Sequence, residues 1–220
     1  MNLATHQRQL LGLFRSNYEV PPDDDAYIQR VARSRDLEEA RGNIFLWRVW
    51  VLERTAPLTF NLLKQRNLLQ ETVCAFIRRH NISPFRETQA PAFLEGLSGH
   101  HDNLIASVAH FELALLKVKQ GDSGFYVVRW DVDPCTILNS LARGLPLVEA
   151  PEGAYEVHIS RELPSQFRIV RVHGKGAPVH DIDVDAEAAD EEISEVPTTL
   201  MRWAAAGHRQ LRRLSSTTHL

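Results

Sequence analysis

Gly121-Asp122-Ser123-Gly124 divides this chain of 220 residues in two. Before it, apolar residues recur at helical spacing; after it, they gather in short β-branched and aromatic runs bounded by glycine, proline and aspartate. Leu104, Val108, Phe111 and Leu115 repeat at steps of four, three and four, and Leu69, Val73, Phe76 and Ile77 at four, three and one. Leu3, Leu10, Leu11 and Phe14 start the series, ended by Pro21-Pro22. A shorter helix carries Tyr27, Ile28 and Val31. A long one over about 37–55 is interrupted at Pro57 and resumes through Leu58, Leu62 and Leu63. His80 to Pro84 reads as a stop, and Pro91-Ala92-Phe93-Leu94 as the start of a short helix.

Beyond residue 124, Phe125 to Trp130 reads as a strand and Pro134 to Arg143 as a short helix with Gly144 past its end. Tyr155 to Ser160 and Phe167 to Val172 are two further strands, Val179 to Val184 a possible third, and Pro197 to Leu214 a terminal helix. The expected fold class is α+β. An N-terminal all-helical bundle, residues 1–120, precedes a small C-terminal α/β domain, residues 121–220, with a short and mostly antiparallel sheet.

Charge narrows the function. Residues 1–120 carry 15 basic and 13 acidic side chains, and residues 121–220 carry 10 and 15. Neither half is basic enough to draw most of its binding energy from phosphates, which argues against nucleic acid as the main partner. Hydrophobic residues at 44% exclude a disordered chain, and the absence of any long apolar run excludes a membrane span. Met1 to Arg8 has no charged head and apolar stretch of a signal peptide. Cys74 and Cys135 form no CxxC motif and read as reduced thiols packed in helices, as expected in the cytoplasm.

Sites of catalysis are hard to find. Asp102, after His100 and His101, suits a helix N-cap better than a metal ligand. Asp181, Asp183 and Asp185 would share one face of a strand, either as oxygen ligands for a hard cation or as the charged face of a solvated edge; the edge reading is preferred. Glu112 lies within an apolar stripe, where an internal salt bridge to an arginine such as Arg48 is expected. No GxSxG, phosphate-binding loop or GxGxxG is present. No catalytic, cofactor-binding or metal residue is therefore assigned. Phe45, Trp47, Val49 and Trp50 make the long helix apolar on more than one side, so it must be buried by its own bundle or by another chain. The bundle is expected to bury it, and Trp47 and Trp50 are the residues a partner interface would use.

The helical half resembles a known family. Arg41-Gly42-Asn43, Leu52 and Thr55-Ala56-Pro57 follow the R-x-N, Leu, T-F-P succession of proteins long labelled a DNA-binding domain and now read as HvfC/BufC-like peptide-modification chaperones. Ala75 to His80, Pro84, Pro91 to Leu94 and Leu104 to Ala114 continue the match over about residues 37–120. Ala40, Ala56, Asn81-Ile82 and Ser107 depart from the pattern, which makes the chain similar to a divergent, MbnC-like member. The resemblance implies a non-catalytic subunit that pairs with an MbnB-type iron-dependent oxidase. Together the pair would modify a cysteine of a ribosomally made precursor peptide in natural-product biosynthesis. Iron is expected in the partner and no cofactor in this chain. The precursor (leader) peptide is expected to add as a strand beside Tyr155, Val157 and Ile159 or beside Phe167 and Ile169, because strand addition uses the unpaired backbone of a sheet edge. A DNA-binding regulator and an independent metal enzyme are the alternatives.

Overall fold

The computed structural model describes residues 3–14, 19–22, 24–80 and 86–172. The fold is α+β: among the described residues eight helices, most of them N-terminal, accompany one three-stranded antiparallel sheet. The possible strand at Val179, the terminal helix from Pro197 and the Asp181–Asp185 run lie outside the described residues. No described helix is long and apolar enough to cross a membrane.

The chain forms two compact units, and they do not part at a single cut near residue 120. The first holds residues up to Thr55 together with Gln70–Ala90; the second holds Ala56–Leu69 and the described residues from Pro91 onward. The glycine-rich stretch at 121–124 marks a change of secondary structure. It does not mark where packing stops, because helices on its N-terminal side pack against the sheet.

In the first unit, α1 (Leu3–Phe14), α2 (Ala26–Ala32) and α3 (Arg35–Thr55) meet through Leu13, Ile28 and Leu37. Asp25 caps α2 by accepting the Tyr27 N–H at 2.8 Å. Arg41 closes α1 from the other end, donating Nε and Nη2 to the Leu13 carbonyl at 2.9 and 2.6 Å. A cation at the C-terminal carbonyls complements the helix dipole. The same unit contains α5 (Leu69–Arg79) and the first turns of α6 (Arg86–Leu97). Helix α6 begins before the position expected from Pro91, which lies inside it.

The second unit is built on α7 (Asn103–Lys119) and the sheet. Asp102 caps α7 through the Leu104 and Ile105 N–H groups, as its spacing suggested. Strands β1 (Tyr126–Val132), β2 (Glu152–Ile159) and β3 (Phe167–Arg171) run in the order β1-β2-β3. Val128, Trp130, Tyr155, Val157, Ile159, Phe167 and Ile169 are buried on one face, and the Phe111 ring of α7 meets Phe167 edge-on at 5.3 Å. Helix α4 (Pro57–Gln65) and helix α8 (Pro134–Ala142) complete this core. Gly144, at φ +65°, ends α8: its N–H reaches the Leu141 carbonyl and the Leu145 N–H reaches Ser140. That pair of bonds needs a left-handed residue, which glycine supplies without strain.

Candidate functional site

Two buried charges that sequence reading paired with each other are in fact used separately. Arg48, in α3, donates Nε to Gln89 Oε1 at 2.7 Å, Nη1 to the Ile77 carbonyl at 3.2 Å and Nη2 to the His80 carbonyl at 3.1 Å. Gln89 returns a bond to the Arg48 carbonyl at 2.8 Å. The guanidinium thus satisfies carbonyls at the C-terminal end of α5, where helical acceptors lack partners.

Glu112, on α7, does the converse at a helix start. Ala56 is the N-cap of α4 and has no side-chain acceptor, and Pro57 has no N–H. Glu112 Oε1 accepts the Leu58 N–H at 2.9 Å and Oε2 the Thr59 N–H at 2.8 Å. The next donor, Phe60 N–H, reaches the Ala56 carbonyl. Every donor of the first turn is therefore satisfied. Burial pushes the Glu112 carboxyl up to about 7, against the bonds from Thr59 and Leu58 and the Lys119 charge, which favour the ionised form. Both oxygens are bound to backbone, so this carboxylate holds structure and does not face a substrate.

The expected interface residues are not in the bundle core. Trp47 is 54% exposed and Trp50 44%, with Ile44 and Leu46 also exposed on α3. The helix buries Leu37, Arg48, Val51 and Leu52, half-buries Phe45 and Val49, and leaves Ile44, Leu46, Trp47 and Trp50 exposed. Trp47 and Trp50 stack at a centroid distance of 4.9 Å, and the Arg54 guanidinium lies 4.9 Å from the Trp50 ring. Stacking and the cation–π contact give the pair a fixed, exposed apolar surface.

The five residues assigned to peptide contact fall on two strands with different exposure of their backbones. Tyr155, Val157 and Ile159 belong to β2, which pairs with β1 on one side and β3 on the other. Both its edges are filled and the three side chains are buried, so strand addition beside them is ruled out. Phe167 and Ile169 belong to β3, which pairs only with β2 among the described residues. Val172 N–H bonds the Ala154 carbonyl and Ser160 N–H the Gln166 carbonyl. Alternation along the ladder then turns the N–H and C=O of Phe167, Ile169 and Arg171 away from β2. The Phe167 and Ile169 side chains are themselves core, so only their backbone could meet another strand.

The outward edge of β1 is partly occupied, since Ser107 Oγ of α7 donates to the Arg129 carbonyl at 3.1 Å. A groove of about 600 Å³ beside it is lined by Asn103, Ser107, Arg129, Asp131 and Glu156, among others. Arg129 and Glu156 pair at 3.4 Å and His158 lies 3.2 Å from the same carboxylate. These groups sit on the sheet face opposite the core and satisfy one another. Among the described residues no three metal-ligating side chains converge. Burial raises the Cys135 thiol, which disfavours the reactive thiolate. The signal that sequence reading lacked is positional: nothing local says that Glu112 meets a turn 53 residues away or that β2 is central. No protein-family profile matches the chain, and no curated protein is similar to it.

Proposed function

We propose that this chain is a non-catalytic partner subunit of an iron-dependent, peptide-modifying oxidase. It would act in a cytoplasmic heterodimer of ribosomal natural-product biosynthesis and bind the precursor peptide. The observation that carries the reading is the exposed, stacked Trp47–Trp50 pair on α3. Large aromatic surface left in water is costly, and tryptophan is enriched where protein interfaces bury most of their energy. The pair lies within the segment that resembles the HvfC/BufC-like chaperones. The outer edge of β3, which has no strand partner among the described residues, supports the second half of the reading, because an extended peptide can pair with its outward backbone groups. The iron belongs to the partner in this scheme, and this chain contributes docking and presentation.

Co-expression with an MbnB-type oxidase tests the proposal. A stable one-to-one complex should elute, and Trp50→Ala should weaken it at least about thirtyfold while leaving the thermal melt of the isolated chain in place. Separate elution of the two wild-type chains overturns the reading. Salt-dependent retention on DNA in that case would point to the older DNA-binding label.

A further inference from the structure

Strand addition fixes a backbone edge without saying which side chains the edge selects. We propose that the outer edge of β3 selects an acidic peptide whose two carboxylates are three residues apart, one for Arg168 and one for Arg171. The proposal rests on the reading of this chain as a peptide-binding subunit and adds the chemistry of the peptide.

The argument starts from the strand sequence Phe167-Arg168-Ile169-Val170-Arg171. Phe167 and Ile169 are buried, which puts Arg168 on the opposite, exposed face. Arg171 shares the face of Phe167 and Ile169 at the end of the strand, where it is exposed, and its guanidinium lies 5.8 Å from the Tyr155 ring. The two arginines therefore lie on opposite faces of β3, whose outer edge has no strand partner among the described residues. Neither has a carboxylate partner among the described residues. Glu156, which shares the face of Arg168 on the neighbouring strand, is committed to Arg129 and His158.

A strand added to this edge would place its side chains opposite those of β3, with directly facing Cβ atoms about 5 Å apart. Residues three apart in an extended strand point to opposite faces, so carboxylates at i and i+3 would meet Arg168 and Arg171 together. Carboxylates at i and i+2 share one face and can meet only one of them. A second copy of the chain is a poor occupant. Antiparallel self-pairing of β3 centred on Ile169 would set Arg168 opposite Val170 of the other copy and Arg171 opposite Phe167, which offers neither arginine a carboxylate.

The test uses the full chain and capped ten-residue synthetic peptides of threonine and valine, followed by fluorescence anisotropy at low salt. One peptide carries glutamates at i and i+3, one at i and i+2, and one has both replaced by glutamine. Each exposed ion pair is worth a few-fold in affinity, so the i, i+3 peptide should bind about fivefold or more tighter than the glutamine peptide. Arg168→Gln and Arg171→Gln should each remove most of that advantage, and 0.5 M salt should remove it as well. Equal binding of the three peptides overturns the proposal while leaving edge pairing intact. The i, i+3 peptide N-methylated at alternate positions cannot pair with an edge; if it binds as tightly as its parent, edge capture itself fails. Much tighter peptide binding in an Asp181→Asn, Asp183→Asn, Asp185→Asn variant would assign the edge to the chain's own acidic run. A dimer strengthened by Arg168→Gln would assign it to a second copy. Either result overturns the proposal.

Discussion

The carboxylate of Glu112 accepts the backbone N–H of Thr59 at 2.8 Å, closing a helix start whose own cap position, Ala56, offers no acceptor. An acid from α7 thus serves as the cap of α4. The contact ties two helices of the second unit together at the point where the chain enters it.

Protonation of this group should be visible in stability. Its carboxyl titrates near 7 when folded and near 4.5 when exposed. Between those values the native state holds a proton that the unfolded state has released, so stability should fall as pH rises from about 4.5 to 7. The gap corresponds to an upper figure of about 3 kcal/mol. Denaturant melts across that range should show the decline, and Glu112→Gln should flatten it. Glu112→Ala at pH 5 should cost roughly 2–4 kcal/mol, because two buried N–H groups lose their acceptor.

Arg48→Ala should destabilise the first unit by roughly 2–4 kcal/mol, measured by urea unfolding. The loss strips partners from Gln89 Oε1 and from the carbonyls of Ile77 and His80. Gln89→Ala should cost less, and the double variant less than the sum, since both residues belong to one hydrogen-bonded clamp. A strictly additive double variant would show that the two act independently.

Helix positions were legible in the sequence because periodicity is a local property. The spacing at Leu104, Val108, Phe111 and Leu115 located α7, and Asp102 located its start. The strands at Tyr126 and Phe167 were equally legible from β-branched runs between turn residues. Strand order was not, since β2 becomes central only through pairing with partners on both sides. Tyr155, Val157 and Ile159 therefore looked like candidates for docking although their backbone groups are all used. The grouping of α4 and α7 with the sheet was hidden for the same reason: a contact such as Glu112 to Leu58 leaves no trace at either position alone. Trp47 and Trp50 failed differently. Apolar residues around a helix signal burial, but they do not say whether the burying surface belongs to the same chain.

Trp47→Ala and Trp50→Ala should each leave the isolated chain within about 0.5 kcal/mol of wild type, because surface substitutions cost little. If the oxidase docks on this face, each should weaken the heterodimer by about 2 kcal/mol or more, near thirtyfold in Kd. Titration calorimetry reads the second effect and a thermal melt the first. A large drop in the melt with affinity unchanged would place both rings in an intramolecular role.

Proline substitution separates the two sides of β3. The N–H of Val170 lies on the side facing Glu156 in β2, whereas that of Arg171 faces outward. Val170→Pro removes a ladder bond from the pairing with β2, the one pairing of β3 among the described residues, and should cost about 3 kcal/mol or more. Arg171→Pro removes an outward donor from an exposed residue at the strand end, so the sheet should survive with a loss of about 0.5 kcal/mol. Ile169→Pro would also remove an outward donor, but it sacrifices a buried side chain and mixes core damage with edge damage. Arg171→Pro spares the core but also removes the guanidinium, so Arg171→Gln is its control, and affinity lost by the proline variant beyond that of the glutamine variant reports the edge donor. If the precursor adds to β3, Arg171→Pro should lower peptide affinity at least tenfold while the far-ultraviolet spectrum and the oxidase complex are preserved. A variant that stays folded and binds the peptide as wild type does would remove this edge from the capture mechanism.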